Sequence, residues 1–304
     1  MNNSDLVVND NVIYEHVEVE KMLHRLNVWF LPFRWGANVY RGCEHDCIYC
    51  NARYTHEYLG MPTGEFSHKI IVKDNAAIAL DKEFSKDKWN KNLTVNVSTV
   101  SDPYQPAENQ FGNTRKVLEV FLKHHNALLV TTKSDLILKD IDILTEIAKT
   151  GFLNVCMTIT TLDQELSDFI EPRVPSVEKR LEAIRKLKEA QITVGVTAIP
   201  VLPYISDDEK SLEDMVKAFS DLNVDYVIID VLNFKGETRQ RMINFLQNYD
   251  PSLIPKYEAL YQNDYCDKEY SKNLRKITNK LVKKYGVDHY DKMFSYRKNK
   301  EAKG

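Results

Sequence analysis

No stretch of this sequence is long and apolar enough to suggest a membrane span. The longest uncharged run lies between Glu189 and Asp207, contains Gly195, Pro200 and Pro203, and falls short of a spanning helix. Cysteine is scarce, with five in 304 residues and three of those clustered. That usage suits a reducing compartment better than a disulfide scaffold. A basic surplus is also missing: the formal net charge of -3 argues against a globally basic nucleic-acid binder. The opening MNNSDLVVNDN is polar and acidic, and reads as neither a secretory nor a transit peptide. There is no internal repeat and no low-complexity segment. The expectation is a cytoplasmic globular protein with no membrane association, long enough to bury one large core or two modest ones.

Charge is unevenly spread. From Ser271 to Gly304 there are eleven Lys/Arg against three Asp/Glu, a net +8, so the rest of the chain carries −11. A basic tail on an acidic body can touch phosphates or an acidic redox partner, although such runs are more often a solvated helix face with a frayed end.

The densest chemistry lies in Gly36-Ala-Asn-Val-Tyr-Arg-Gly-Cys43-Glu-His-Asp-Cys47-Ile-Tyr-Cys50. Cysteines this close cannot staple distant segments, but they can wrap three thiolates around one inorganic object. On a cubane iron–sulfur cluster, three thiolates leave one iron open for chemistry. The alternative is a structural zinc knot with His45 or His56 as fourth ligand.

The spacing Cys43-x3-Cys47-x2-Cys50, with Tyr49 before the last Cys, resembles the cluster motif of radical S-adenosylmethionine (SAM) enzymes. The segments Asn38–Cys47, Ser101-Asp-Pro-Tyr-Gln-Pro-Ala-Glu108, Thr132-Lys-Ser134 and Glu171-Pro-Arg-Val-Pro175 narrow the likeness to the spore photoproduct lyase-like (DNA repair photolyase-like) family. The matches run in order from about Trp35 to Leu232.

Along the chain, a disordered-looking start precedes a short amphipathic helix at Val19–Leu26 and an apolar lid at Trp29–Phe33. A strand at Ala37–Arg41 leads into the cysteine loop and a helix at Ala52–Leu59 leaves it. A strand at Lys69–Lys73 and a helix at Ala76–Phe84 follow. Strands are then expected at Leu93–Ser98, Ala127–Thr132, Asn154–Thr160, Thr193–Val201 and Tyr226–Leu232. Helical patterns at Thr114–His124, Lys139–Lys149, Val177–Ala190 and Ser211–Leu222 separate them. This alternation argues for βαβ units and a parallel sheet. Leu128-Leu-Val130 and Val227-Ile-Ile229 read as strands buried on both faces. Six βα units are too few for a closed eight-stranded barrel, and match the α/β partial (β/α)6 TIM-like barrel of the radical SAM type. The expected divisions are an N-terminal extension (1–36), the partial barrel (37–235) and a C-terminal helical appendix with the basic tail (236–304). Helices in the appendix are expected at Glu237–Gln247, Pro251–Tyr261 and Lys272–Tyr285.

In parallel barrels the strand carboxyl ends hold the site. The cysteine loop, Ser98–Glu108, Lys133, Thr158 and Thr160 all follow or end expected strands, so they share one rim. The resemblance implies a [4Fe-4S] cluster on Cys43, Cys47 and Cys50, with SAM chelating the open iron and cleaved reductively to a 5′-deoxyadenosyl radical that takes hydrogen from the substrate. It implies Tyr49 near the adenine, Lys133 against the SAM carboxylate, and Thr99, Ser101, Asp102 and Thr158 lining the methionine or ribose. Glu108 either anchors the SAM amino group or caps the helix beginning near Asn113. Glu171 and Arg173 are candidates for an internal ion pair. Two departures stand out. The lyase's hydrogen-donating cysteine is matched here by Thr99, and its second tyrosine by Asn51. Cys156, which alternates onto the same strand face as Thr158, is the candidate replacement donor, and its ordinary reading is a small core residue; Cys266 reads the same way. A flavodoxin- or ferredoxin-type electron donor is implied as partner, and the substrate is an organic molecule, with a nucleic acid lesion as one candidate. The competing functional readings are a non-catalytic nucleic-acid-binding iron–sulfur protein that keeps the barrel, and a plain electron carrier.

Overall fold

Alternating valines and polar residues at the amino terminus build strands where disorder was expected. β1 (Leu6–Asn9) and β2 (Val12–Val17) pair antiparallel, and β2 turns Val12 and Tyr14 inward while Ile13 faces out. The computed structural model describes residues 6–9, 11–27, 33–234 and 236–288, and the chain divides into two compact units.

The first unit comprises Met1–Asp46, Ala52–Cys156 and Glu189–Thr193. The helix expected over Val19–Leu26 does not form. Leu23–Arg25 is a strand, β3, paired antiparallel with β4 (Trp35–Ala37). Glu83 Oε2 accepts the amides of Met22 and Leu23 at 2.8 and 2.9 Å, holding the backbone extended. Most of the expected lid lies outside the described residues; Phe33 is buried. The expected strand Ala37–Arg41 is split at Asn38, with β4 in one sheet and β5 (Tyr40–Arg41) in another. β5 pairs antiparallel with β6 (Lys69–Lys73), and β6 runs parallel to β2. The helix leaving the cysteine loop is a single turn, α1 (Tyr54–Glu57).

After α2 (Ala76–Phe84) comes β7 (Val95–Val97), then α3 (Ala107–Phe111) and α4 (Asn113–His124), β8 (Leu128–Thr132) and α5 (Ile141–Thr150). β4, β7 and β8 are parallel neighbours. Val95, Val97, Leu128 and Val130 are all fully enclosed, as an apolar run covered on both faces requires. All six residues of β9 (Leu153–Thr158) are buried, and the boundary between the units falls after Cys156.

The second unit comprises Cys47–Asn51, Met157–Lys188 and Val194–Gly304. It contains α6 (Gln164–Ile170), α7 (Val177–Glu189), β10 (Val194–Val201), α8 (Glu209–Asp221) and β11 (Tyr226–Val231), with β10 and β11 parallel. Asp163 and Asp208 cap α6 and α8 by accepting the amides of Leu166 and Ser211. The strand–helix alternation then gives way to α9 (Thr238–Tyr249), α10 (Ile254–Leu260) and α11 (Lys268–Lys284), close to the expected spans. Some basic residues of α11 face acids: Arg275 lies 3.8 Å from Asp230, Lys280 lies 3.8 Å from Glu209, and Lys284 pairs with Glu213. The remainder of the basic tail, 289–304, lies outside the described residues. The result is an α/β fold built on parallel strands. Among the described residues no helix is long and apolar enough to cross a membrane.

Candidate metal centre and cofactor rim

The first half of the cysteine segment is fixed by buried polar groups. Gly42 turns the chain with φ of 84°, and a Cβ there would lie 2.7 Å from the Lys69 carbonyl and 2.8 Å from that of Phe66. The Cys43 amide then reaches the Phe66 carbonyl at 3.0 Å. Glu44 is buried, its carboxylate accepting Tyr14 Oη–H at 3.1 Å and the Ala107 amide at 2.7 Å. Gln105 brackets the turn: its Oε1 accepts the Glu44 amide at 2.9 Å and its Nε2 donates to the Gly42 carbonyl at 3.1 Å. Asp46 pairs with Arg53, so both carboxylates of the segment are engaged.

Asp102 ties the next loop together. Its Oδ1 accepts the Tyr104 amide at 2.9 Å and Thr132 Oγ1–H at 2.7 Å, its Oδ2 accepts the Lys133 amide at 2.8 Å, and His45 Nδ1 stands 3.4 Å away. Burial alone would raise this carboxyl, but His45 and the surrounding donors hold it below the usual range. Glu108, fully enclosed, accepts Tyr40 Oη–H at 2.5 Å, the Thr114 amide at 2.9 Å and Lys139 Nζ at 3.0 Å. It therefore caps α4, and burial together with this carboxylate drives the Tyr40 phenol upward. Thr99 is held by Asn38, whose Oδ1 accepts its amide at 2.7 Å, and Ser101 Oγ donates to the Tyr40 carbonyl at 2.9 Å. Thr99, Ser101, Asp102, Glu108 and the Lys133 backbone thus form one connected hydrogen-bonded framework just beyond β7 and β8.

The second half of the cysteine segment is fixed by the end of α6. The Ile48 amide donates to the Ile170 carbonyl at 3.0 Å, and the Tyr49 hydroxyl donates to Glu171 Oε1. Glu171 Oε2 is paired with Arg180 Nη1 at 2.7 Å, both residues being fully buried. Arg180 also donates to Ser167 Oγ at 2.8 Å and to the Thr158 carbonyl at 3.2 Å. Glu171 is thus ion-paired with Arg180, a residue that the sequence motifs do not point to. Its position was legible, because in α7 Arg180 falls in register with buried Val177, Ile184 and Leu187. Burial, and then Glu171, push the Tyr49 phenol well above its ordinary value, so it is a neutral donor. Thr158 Oγ1 lies 2.9 Å from Thr197 Oγ1. Asn51 Oδ1 accepts Thr238 Oγ1–H at 3.0 Å, anchoring the start of α9.

Cys156 is buried within β9, and Cys266 is buried in the C-terminal region, where burial raises its thiol. None of the five cysteines forms a disulfide. The Cys50 amide reaches the Cys47 carbonyl at 3.2 Å, closing a tight turn between the last two ligand candidates. Among the described residues no three His, Cys, Asp or Glu converge on a single-ion site. A zinc knot would need sulfurs about 3.8 Å apart around one ion, and the candidate fourth ligand His56 has its Nε2 3.1 Å from the Lys69 carbonyl. A cubane places each thiolate on a different iron. Three thiols outside any disulfide fit that donor set.

The model of the radical SAM superfamily matches residues 37–216. The chain is 30% identical to an uncharacterized protein of Mycobacterium bovis over 285 residues, covering 92% of this chain and 84% of that one. It is 31% identical to an uncharacterized protein of Methanocaldococcus jannaschii over 219 residues, covering 72% and 78%. Among solved structures, spore photoproduct lyase complexed with dinucleoside spore photoproduct superposes with a TM-score of 0.65 at 14% identity, covering 90% of this chain and 79% of that chain. A variant of that lyase with bound AdoMet gives 0.63 at 14% identity, covering 86% and 76%. At that identity the likeness is one of fold. The family match, beginning just before the cysteine segment and spanning more than half of the chain, is decisive: this chain belongs to the radical SAM superfamily.

Proposed function

We propose that this chain is a radical SAM enzyme that binds a [4Fe-4S] cluster through Cys43, Cys47 and Cys50 and abstracts hydrogen from an organic substrate, with a nucleic acid lesion as the candidate class. The observation that carries the reading is the cysteine segment itself: three thiols that form no disulfide, with Gln105 and the Phe66 carbonyl fixing the backbone around Cys43, and Ile170 and Glu171 fixing the stretch between Cys47 and Cys50. When bound, the cluster and SAM supply a one-electron reductive cleavage that yields a hydrogen-abstracting 5′-deoxyadenosyl radical.

The chain's own residues position and shield. Gln105 and Glu44 fix the backbone of Cys43, and Tyr49, donating to Glu171, fixes the stretch between Cys47 and Cys50. Asp102 sets the Lys133 backbone so that its ammonium serves the SAM carboxylate. Thr99, Ser101 and Thr158 line the cofactor, and Glu108 acts through Tyr40 and α4 as a positioning residue. Cys156 is the candidate hydrogen donor where the lyase-type cysteine is replaced by Thr99. A flavodoxin- or ferredoxin-type protein is the expected electron source. Anaerobic reconstitution should give about four irons per chain, and adding SAM with dithionite should release 5′-deoxyadenosine. Zinc alone in the segment, with no SAM cleavage after iron and sulfide are supplied, would remove the reading.

A further inference from the structure

Arg41 and Lys73 project to the same side of their sheet. In the β5–β6 ladder Arg41 stands opposite Ile71, and Lys73 lies two residues further on, so the two side chains share a face as diagonal neighbours. Lys73 Nζ donates to the Asn38 carbonyl at 2.7 Å. Neither cation has a carboxylate partner among the described residues. Glu15, brought to the same face by β2, is taken by Lys69 at 3.1 Å. Burial, and then the adjacent Arg41, lower the Lys73 ammonium to about 8, and no acid offsets them. Two part-buried like charges without a counter-ion are costly, and an anion relieves that cost.

A third nitrogen closes the arc. His24 Nε2 lies 3.0 Å from Thr99 Oγ1 and 3.4 Å from Asn38 Nδ2. Gly36 permits this approach, because a Cβ there would sit 2.5 Å from His24 Nε2 and 2.8 Å from Thr99 Cγ2. Asn38 is the hinge of the arrangement: its side chain holds Thr99 and Val100 while its carbonyl holds Lys73. The end of β6, the end of β7 and β3 therefore meet around one residue.

We propose that Arg41 and Lys73 form a binding site for a phosphate group carried by the substrate, seated beside Asn38 and Thr99, which His24 holds in place. A guanidinium and an ammonium on one sheet face offer more donors than a carboxylate's two oxygens use. A phosphate presents acceptors in several directions, taking the guanidinium fork on one edge and the ammonium on another. Arg41 lies two residues before Cys43, so the site adjoins the segment that bears the thiols. Calling the phosphate the substrate's rests on the enzyme reading above; the anion site itself does not.

The test is calorimetric titration of the full-length, iron-free chain with inorganic phosphate, with acetate as control, for the wild type, Arg41→Gln, Lys73→Met and Lys69→Met. Saturable phosphate binding is expected, weakened about tenfold or more by either of the first two changes and unchanged by Lys69→Met. Phosphate should also raise the melting temperature of the wild type, and the melts of the variants without ligand report whether they fold. Arg41→Lys, which keeps the charge and loses the fork, should fall between wild type and Arg41→Gln. In the separately reconstituted, cluster-loaded protein, phosphate binding should persist at saturating SAM. Absence of saturable binding, equal binding by folded variants, or equal binding of acetate would overturn the proposal. So would displacement by SAM, because the cations would then serve the cofactor's carboxylate. Because the titrated chain holds no iron, failure there is separable from failure of SAM cleavage in the reconstituted protein.

Discussion

Replacing Arg180 by Met strands a carboxylate. Glu171 would remain fully buried beside the Tyr49 and Ser167 hydroxyls without its guanidinium, and the Thr158 carbonyl would lose a donor. Removing one partner of a buried ion pair costs about 3–5 kcal/mol. An unfolding entropy of about 2.1 cal/mol/K per residue over the 304 residues makes that a fall of roughly 5–8 °C in melting temperature. The double variant Glu171→Gln/Arg180→Met removes both charges and should recover most of the loss, because Gln can still accept from Tyr49. Thermal melts of the four proteins in the cycle measure this. A fall below about 1 °C for Arg180→Met, or a double variant no more stable than the single one, would refute the reasoning. Iron content after reconstitution should follow the same order, since Glu171 and Ile170 hold the stretch between Cys47 and Cys50.

Gly42→Ala places a Cβ against two carbonyls at a positive φ and should cost roughly 2 kcal/mol or more, with reduced iron retention; Gly60→Ala, also at positive φ but with nothing within 4 Å, should cost about 1 kcal/mol and retain iron. Tyr49→Phe leaves Glu171 one donor short and should destabilise by about 1–2 kcal/mol, read as a shift in urea midpoint. Lys73 titrates near 8 in the fold against 10.5 in the unfolded chain, so its protonated form is disfavoured by folding. That penalty is complete below pH 8 and is relieved as pH rises toward 10.5. The stability of wild type relative to Lys73→Met should therefore climb across that window, and a flat difference in urea midpoints would contradict the assignment.

The parallel strands were legible because strands covered on both faces read as unbroken apolar runs, as at Leu128-Leu-Val130; in Val227-Ile-Ile229 the run marks the strand, although Ile228 is only half-buried. Lys69–Lys73 and Ala76–Phe84 were located to the residue. The amino-terminal strands were not, because their pairing is made by distant partners: Glu83 holds Met22 and Leu23, and β6 lies beside β2. The split at Asn38 was likewise hidden, since Ala37–Arg41 has strand character throughout and only tertiary pairing assigns its two ends to different sheets. At the candidate site, the cysteine spacing carries its own meaning over eight residues, whereas supports such as Gln105 and Glu171 lie 61 and 122 residues away in sequence and leave no local pattern. Glu108 illustrates the difference: both roles fitted its position, and the Thr114 amide on its carboxylate shows it capping α4.

The most direct test of the central claim is Mössbauer spectroscopy of the iron-57-reconstituted protein with and without SAM. Three thiolates on a cubane leave a single iron open, so SAM should change the spectrum of about one quarter of the iron and leave the rest in place. A spectrum indifferent to SAM, or iron that remains fully bound in the Cys43→Ala/Cys47→Ala/Cys50→Ala variant, would contradict it.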